Sequence, residues 1–267
     1  MVTDLPKTDL PKIVEGWFVS FFEWFGELGL FCVRVARESF GAPWEGREFI
    51  RQMDDIGSKS FPLVALAGAA TGVVLSLQTR DSLTRFGAQA MLPAVIVFSL
   101  IKESGPVITA LIVSGRVGAG IGAELGSMRV TEQIDAMEVS AVNPYKFLAS
   151  TRVLACLCML PLLTLTADAS GIFMGWVSTT LAHPMTFHFF LKSGLKEAAM
   201  NDFLPPTFKT AIFGLIIGFV SCFEGMRTQG GTAGVGRSAT SSVVLSSLFI
   251  ILADVILVRL IQVFFPS

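Results

Sequence analysis

The stretch "LPAVIVFSLIKESGPVITALIVSGRVGAGIGAELG", residues 92–126, decides what kind of protein this is. It exceeds the about 20 residues that an α-helix needs to cross the hydrocarbon core of a bilayer. Its charges are Lys102, Glu103, Arg116 and Glu124. Pro93 stands at its start, where the missing N–H costs nothing. Pro106 stands in its interior, where a helical hydrogen bond is lost and the helix must kink. The stretch therefore predicts a kinked membrane-spanning helix.

The rest of the chain agrees. Of its 267 residues, 52% are hydrophobic and 15% charged, against about 25% charged in a soluble domain. Four further apolar runs predict spans at Phe61–Gln78, Val153–Thr180, Pro206–Phe223 and Val243–Phe265. Before them, residues 13–36 place Lys12, Glu15, Gly16, Glu23 and Glu27 on one side of a helix. Phe18, Phe21, Phe25 and Leu28 fall on the other, with Trp17 and Trp24 beside them. Such a helix lies in the membrane interface rather than across it. The fold class is thus an all-α integral membrane protein with an N-terminal amphipathic interfacial helix and five transmembrane helices. By composition it divides into an N-terminal region, 1–60, and a five-span domain, 61–267.

Basic residues set the expected orientation. Lys7, Lys12, Arg34, Arg37, Arg47, Arg51, Lys59, Arg129, Lys146, Arg152, Arg227 and Arg237 fall on one side of the membrane. Arg80, Arg85, Lys192 and Lys196 fall on the other, with Lys209 near its edge. The N-terminus is expected in the cytoplasm and the C-terminus outside. The polar segment "VTEQIDAMEVSAVNPYKF", 130–147, and the Gly-rich turn after the fourth span then face the cytoplasm. A net charge of -1 offers no case for nucleic acid.

Several motifs dissolve on inspection. "GAGIGA", 118–123, matches a dinucleotide fingerprint, but no strand precedes it and no βαβ unit surrounds it. Gly115, Gly118, Gly122 and Gly126 instead recur every three or four residues and line one helix face for close helix packing, within the protomer or across a dimer. "GGTAGVGR", 230–237, lacks the Gly-Lys-Ser/Thr ending of a phosphate loop and reads as a tight turn. Cys32, Cys156, Cys158 and Cys222 sit in or beside apolar segments and read as packing residues. His183 and His188 have no Cys or carboxylate at ligand spacing, so no metal, cofactor or catalytic group is expected.

The charges inside the spans are Lys102, Glu103, Arg116, Glu124, Asp168, Glu224, Asp254 and Arg259. Lys102 and Glu103 lie deepest, beside the kink, and suggest either a structural ion pair or a polar contact in a cavity. Asp168 is a candidate partner for Lys102 or Arg116. Physics alone reaches a polytopic transport-type protein with a polar helix shown to the cytoplasm. A proton-coupled secondary transporter using Glu103 and Asp168 remains open, though no inverted repeat is evident. A membrane scaffold assembling partners through 130–147 also remains open.

The run "KESGPVITALIVSGRVGAGIGAELGSMRVTEQIDAMEVSAVNPYKFLASTRVLA", 102–155, strongly resembles the MlaE/YrbE permease family. "FEGMRTQGGTAGVGRSATSSVV", 223–244, and "QTRDSLTRFGAQ", 78–89, match it too. Phe223 stands where members often have Tyr, and Lys102 where many have Arg. The resemblance implies a homodimeric ABC transporter permease of the bacterial inner membrane. Its expected partners are ABC ATPase subunits, an MCE-domain protein and a small cytoplasmic accessory subunit. The implied cargo is phospholipid or another hydrophobic molecule. By position, the resemblance implies cargo contacts at Leu75, Gln78, Thr79, Lys102 and Glu103. It also implies a coupling helix for the ATPase, built from Thr131, Glu132, Gln133, Ile134, Asp135 and Met137. Thr131 is expected to cap it, with Glu132 and Asp135 at its positive end. Ile134 and Met137 are its candidate apolar anchors, and Asn143-Pro144 its expected end.

Overall fold

The computed structural model describes residues 10–39, 41, 45–181, 184–196 and 200–264, and their side chains except at 10–18, 20, 200–204 and 264. Every regular element among them is helical. The order is α1 (Leu10–Ser39), α2 (Gly46–Arg85), α3 (Gln89–Val130), α4 (Gln133–Val139), α5 (Tyr145–Thr180), α6 (Phe187–Leu195), α7 (Met200–Met226) and α8 (Gly231–Phe264). Five of these, α2, α3, α5, α7 and α8, are long and apolar enough to cross a membrane.

All five spans run past their apolar runs into polar flanks. α2 starts at Gly46, well before Phe61, because the polar stretch ahead of the span is itself helix-forming. Glu48–Arg51 and Asp55–Lys59 ion pairs lie along it at helical spacing. Residue 60 therefore lies inside a continuous helix, and the compositional boundary at 60/61 coincides with no break in the chain. α8 likewise starts at Gly231, not Val243. The supposed Gly-rich turn shrinks to a few residues around Gly230 and Gly231, whose φ values of 88° and 68° suit glycine. "TAGVGR" opens the helix.

Helices in a bilayer gain little from hydrophobic burial against each other, so close packing must hold them. α2 and α5 share the most extensive seam. Buried α2 residues recur every four positions: Gln52, Ile56, Ser60, Val64, Gly68, Gly72 and Ser76. Gly68 and Gly72 meet Gly171 and Gly175 of α5 at backbone contact. A Cβ on Gly72 would lie 2.0 Å from the Gly171 carbonyl oxygen, and one on Gly68 2.3 Å from that of Ala167. Ser76 Oγ and Thr179 Oγ1, 2.9 Å apart and buried, extend the seam with a hydrogen bond.

α3 is interrupted by π turns at Leu100–Ser104 and Ser114–Gly118. The first ends just before Pro106 and takes up its missing donor. Gly105 follows it because Asp168 of α5 presses there: a Cβ would lie 1.8 Å from Asp168 Oδ1.

α1 docks onto the bundle through Trp24, Leu28, Phe31 and Val35. Trp24 Nε1 donates to Glu224 at 3.1 Å, and Glu27 pairs with Arg227 at 3.1 Å. Phe21, Phe22, Phe25, Leu30 and Val33 stay exposed. So the helix has a protein-facing side, an apolar outer side and a polar edge, as an interfacial helix requires. Leu28 faces the protein. Lys12, Glu15, Gly16, Trp17 and Phe18 lie outside the described side chains. These contacts gather α1, α4 and the α7–α8 turn at one end of the bundle. α6, capped by Thr186 and packed through Phe190 on Leu92, Ile96 and Val97, covers the other end.

Candidate functional site

The charged cluster inside the bundle centres on Lys209, a residue that reads from sequence as a positive charge at a loop edge. It sits on α7 beyond Pro205-Pro206 with its side chain 2% exposed. Its ammonium reaches Glu103 Oε2 of α3 at 3.0 Å and Asp254 Oδ1 of α8 at 2.9 Å. It also donates to the Lys102 carbonyl at 3.1 Å. Three spans are thus joined at one cation. That carbonyl lies in the first π turn, where α-helical bonding is loosened.

Lys102 lies with its Nζ 4.0 Å from the centre of the Phe98 ring, a cation–π contact on its own helix. Among the described residues, the two carboxylates Glu103 and Asp254 thus converge on the Lys209 ammonium, which offsets the cost of charge at this depth. The expected Lys102–Glu103 pair is therefore replaced by Glu103–Lys209. Adjacent helical residues point about 100° apart and do not face each other. Asp168 pairs with neither Lys102 nor Arg116 among the described contacts. Arg116 instead donates to the Asp55 carbonyl at 3.3 Å and to Ser60 Oγ, clasping α2.

Leu75, Gln78 and Thr79 lie on the last part of α2. Leu75 packs against the cluster that contains Leu100 and Ile101, next to Lys102. Gln78 is exposed and Thr79 half-buried. Among the described residues, no side-chain contact joins Gln78 or Thr79 to the charged cluster within one subunit. Glu103 stays 48% exposed although its partner is buried, so the cluster opens on the outer flank of the bundle.

A second ionic link frames the polar segment. Arg152 of α5 is among the largest fully buried side chains, pairs with Glu124 of α3 at 2.9 Å and donates to the Leu148 carbonyl at 3.0 Å. It ties together the two spans that α4 connects.

α4 itself departs from its expected capping. Thr131 Oγ1 donates back to the Ser127 carbonyl at 2.8 Å and so finishes α3 instead of capping α4. Glu132 holds the cap position at φ 59°, a left-handed conformation uncommon for a non-glycine residue. Asp135 pairs with Arg129. Ala141, at φ 61°, ends the helix: its N–H reaches the Glu138 carbonyl and that of Val142 the Met137 carbonyl, a Schellman closure. Asn143 acts one step later than expected. Its side chain accepts from the Tyr145 N–H at 3.0 Å, and Asn143-Pro144 starts α5 rather than ending α4. Ile134 is 2% exposed and Met137 half-buried, both against this subunit's own core. They fasten α4 to the bundle. Gln133, Glu138 and Val139, the last 89% exposed, point away.

The glycine stripe divides. Gly118 faces Ser221 of α7, Gly122 faces Ser238 and Ser242 of α8, and Gly126 faces Thr228, all within the subunit. Gly115 has nothing within 4 Å. The second π turn winds fewer degrees per residue and carries Gly115 off the common face. Among the cysteines, Cys156 and Cys222 are buried, Cys158 is exposed, and burial pushes the half-buried Cys32 thiol up. His188 is exposed on α6, and His183 lies outside the described residues.

Comparison with known proteins follows the same outline. Residues 49–260 match the family model described as Permease MlaE. A probable ABC transporter permease protein of Rickettsia felis is 35% identical over 242 residues, covering 91% of this chain and 93% of the relative. A probable ABC transporter permease protein of Synechocystis sp. is 35% identical over 208 residues, 78% of this chain and 79% of its own. The Arabidopsis thaliana protein TRIGALACTOSYLDIACYLGLYCEROL 1, chloroplastic, is 30% identical over 253 residues, 94% of this chain and 72% of its own. With its five-span bundle matched nearly end to end, the chain belongs to the MlaE permease family, multi-pass membrane permeases of the ABC transporter type.

Proposed function

We propose that the chain is the membrane subunit of an ABC transporter that moves phospholipid or another hydrophobic molecule between the inner membrane and a periplasmic MCE-protein assembly. ATP hydrolysis is assigned to a separate ATPase subunit, and the working form to a homodimer. The observation that carries the reading is Glu103: buried Lys209 holds it inside a span, yet 48% of its side chain is exposed. A carboxylate on the flank of a bundle is costly against lipid tails and needs water or polar headgroups. A second copy closing over that flank would create such a cavity, with Lys102, Glu103, Leu75, Gln78 and Thr79 at its wall. The name of the Arabidopsis relative carries a diacylglycerol lipid, which favours lipid cargo.

The coupling element is α4 with Thr131 and Glu132, its N-terminus on the cytoplasmic side. Ile134 and Met137 seat it on this subunit, and its exposed residues meet the ATPase. The Glu124–Arg152 link gives any push on α4 a rigid path into α3 and α5. In purified complexes, Glu132→Lys or Asp135→Lys is expected to cut lipid-dependent ATPase activity at least about tenfold, and Val139→Asp to do the same, because a hot-spot contact is worth about 2 kcal/mol. Unchanged co-purification and activity in all three would refute the coupling role. Lys102→Ala with Glu103→Ala is expected to lower lipid transfer in reconstituted vesicles with ATPase assembly intact. Wild-type transfer by that double variant would remove the cargo role. Transport by this subunit alone under a pH gradient would favour the secondary-transporter reading instead.

A further inference from the structure

A cleft outside the cargo cluster lies where α1 crosses the ends of α5 and α7. It is an open cleft of ≈ 280 Å³. Its floor is aromatic: Phe31 lies 5.9 Å from the Tyr145 ring and 5.6 Å from the Phe223 ring. Two guanidinium groups stand on this floor. Arg34 lies 4.2 Å above Tyr145 and Arg227 5.0 Å from Phe223. Arg227 spends one edge on Glu27, at 3.1 Å. Arg34 forms no ion pair among the described residues. Two cations and one carboxylate leave the lining at a formal charge of +1. Beside the mouth, Leu30 and Val33 continue an exposed apolar strip along α1.

This combination has a specific complement. A guanidinium fork with free donors binds a phosphodiester, while an aromatic floor and an apolar strip bind acyl chains. Inorganic phosphate would satisfy the first and leave the second uncovered. A zwitterionic lipid would leave the surplus charge uncompensated. We infer that the cleft between α1 and the α5 and α7 ends binds one anionic phospholipid of the adjacent leaflet, with its phosphate on Arg34 and Arg227. The lipid would pin α1 against the bundle at the end that carries α4. The inference is independent of the transport reading, since binding here requires neither cargo movement nor ATP.

The test uses the full-length protein in phosphatidylcholine nanodiscs doped with phosphatidylglycerol, with retained lipids counted by native mass spectrometry after release. Wild-type protein should retain phosphatidylglycerol over phosphatidylcholine. Arg34→Gln should reduce that retention about tenfold, the value of one charge-assisted contact. Glu27→Gln should increase it, because it frees Arg227 and raises the surplus charge; a merely structural role for the Glu27–Arg227 pair would lower retention instead. Arg80→Gln, at the other end of α2, should leave it unchanged. Equal retention of the two lipids by wild-type protein, an unaffected Arg34→Gln, or an equal loss in Arg80→Gln would overturn the inference. So would displacement of the lipid by inorganic phosphate.

Discussion

Lys209→Met is expected to destabilise the protein by about 3–5 kcal/mol, because it leaves carboxylates inside the bundle without their cation. Most of the loss belongs to Asp254, whose side chain is 18% exposed. Glu103 is half exposed and contributes little, as solvent-screened pairs do. The double variant Lys209→Met with Asp254→Asn should therefore recover much of the stability, while Lys209→Met with Glu103→Gln should recover less. Thermal unfolding in a single detergent, followed by intrinsic fluorescence, separates the two. If Lys209→Met unfolds with the wild type, the ammonium is not the tie between α3, α7 and α8.

Gly72→Ala is the second large effect. Its new methyl group would sit 2.0 Å from the Gly171 carbonyl oxygen, a backbone atom that no side-chain rotation can move. α2 and α5 must separate, and the Ser76–Thr179 hydrogen bond must stretch with them. A cost above about 4 kcal/mol is expected, in the range where single substitutions reveal a specific clash. Gly115→Ala is the matched control. It has open space within 4 Å and helical geometry, so the change should be neutral or stabilise by about 0.5–1 kcal/mol. Monodisperse yield on size exclusion and the unfolding midpoint measure both. Equal behaviour of the two variants would mean that the α2–α5 seam tolerates separation.

These two sites mark how far the sequence could be read. Five spans and an amphipathic start follow from apolar length and helical periodicity, which single residues cannot disguise. Span ends were harder to see, because Glu48–Arg51 and Asp55–Lys59 pairs extend α2 through a stretch whose composition resembles a loop. Lys209 was hidden by its neighbours: behind Pro205-Pro206 it reads as a loop-edge charge, and its partner Asp254 lies far along the chain. A cation one turn inside a span, with an unexplained carboxylate in another, was the available signal. The α2–α5 glycines were legible in principle, since Gly68 and Gly72, like Gly171 and Gly175, stand four apart. The stripe from Gly115 to Gly126 has the same spacing, but the regular wheel that defines it fails at a π turn. In α4 the order of polar residues was legible. Left-handed backbone at Glu132 and Ala141 was not, because neither is a residue type that announces it.

The π turns of α3 also change what an insertion or deletion means there. Each turn holds one residue more than α-helical winding requires. Loss of a residue within Leu100–Ser104 is absorbed as ordinary α-helix, leaving the flanking parts of α3 in register with their neighbours. The same loss in α2 would have no slack to draw on and would put every residue after it out of step with Gly171 and Gly175. A one-residue loss is therefore tolerable at the π turns of α3 and not along the α2–α5 seam.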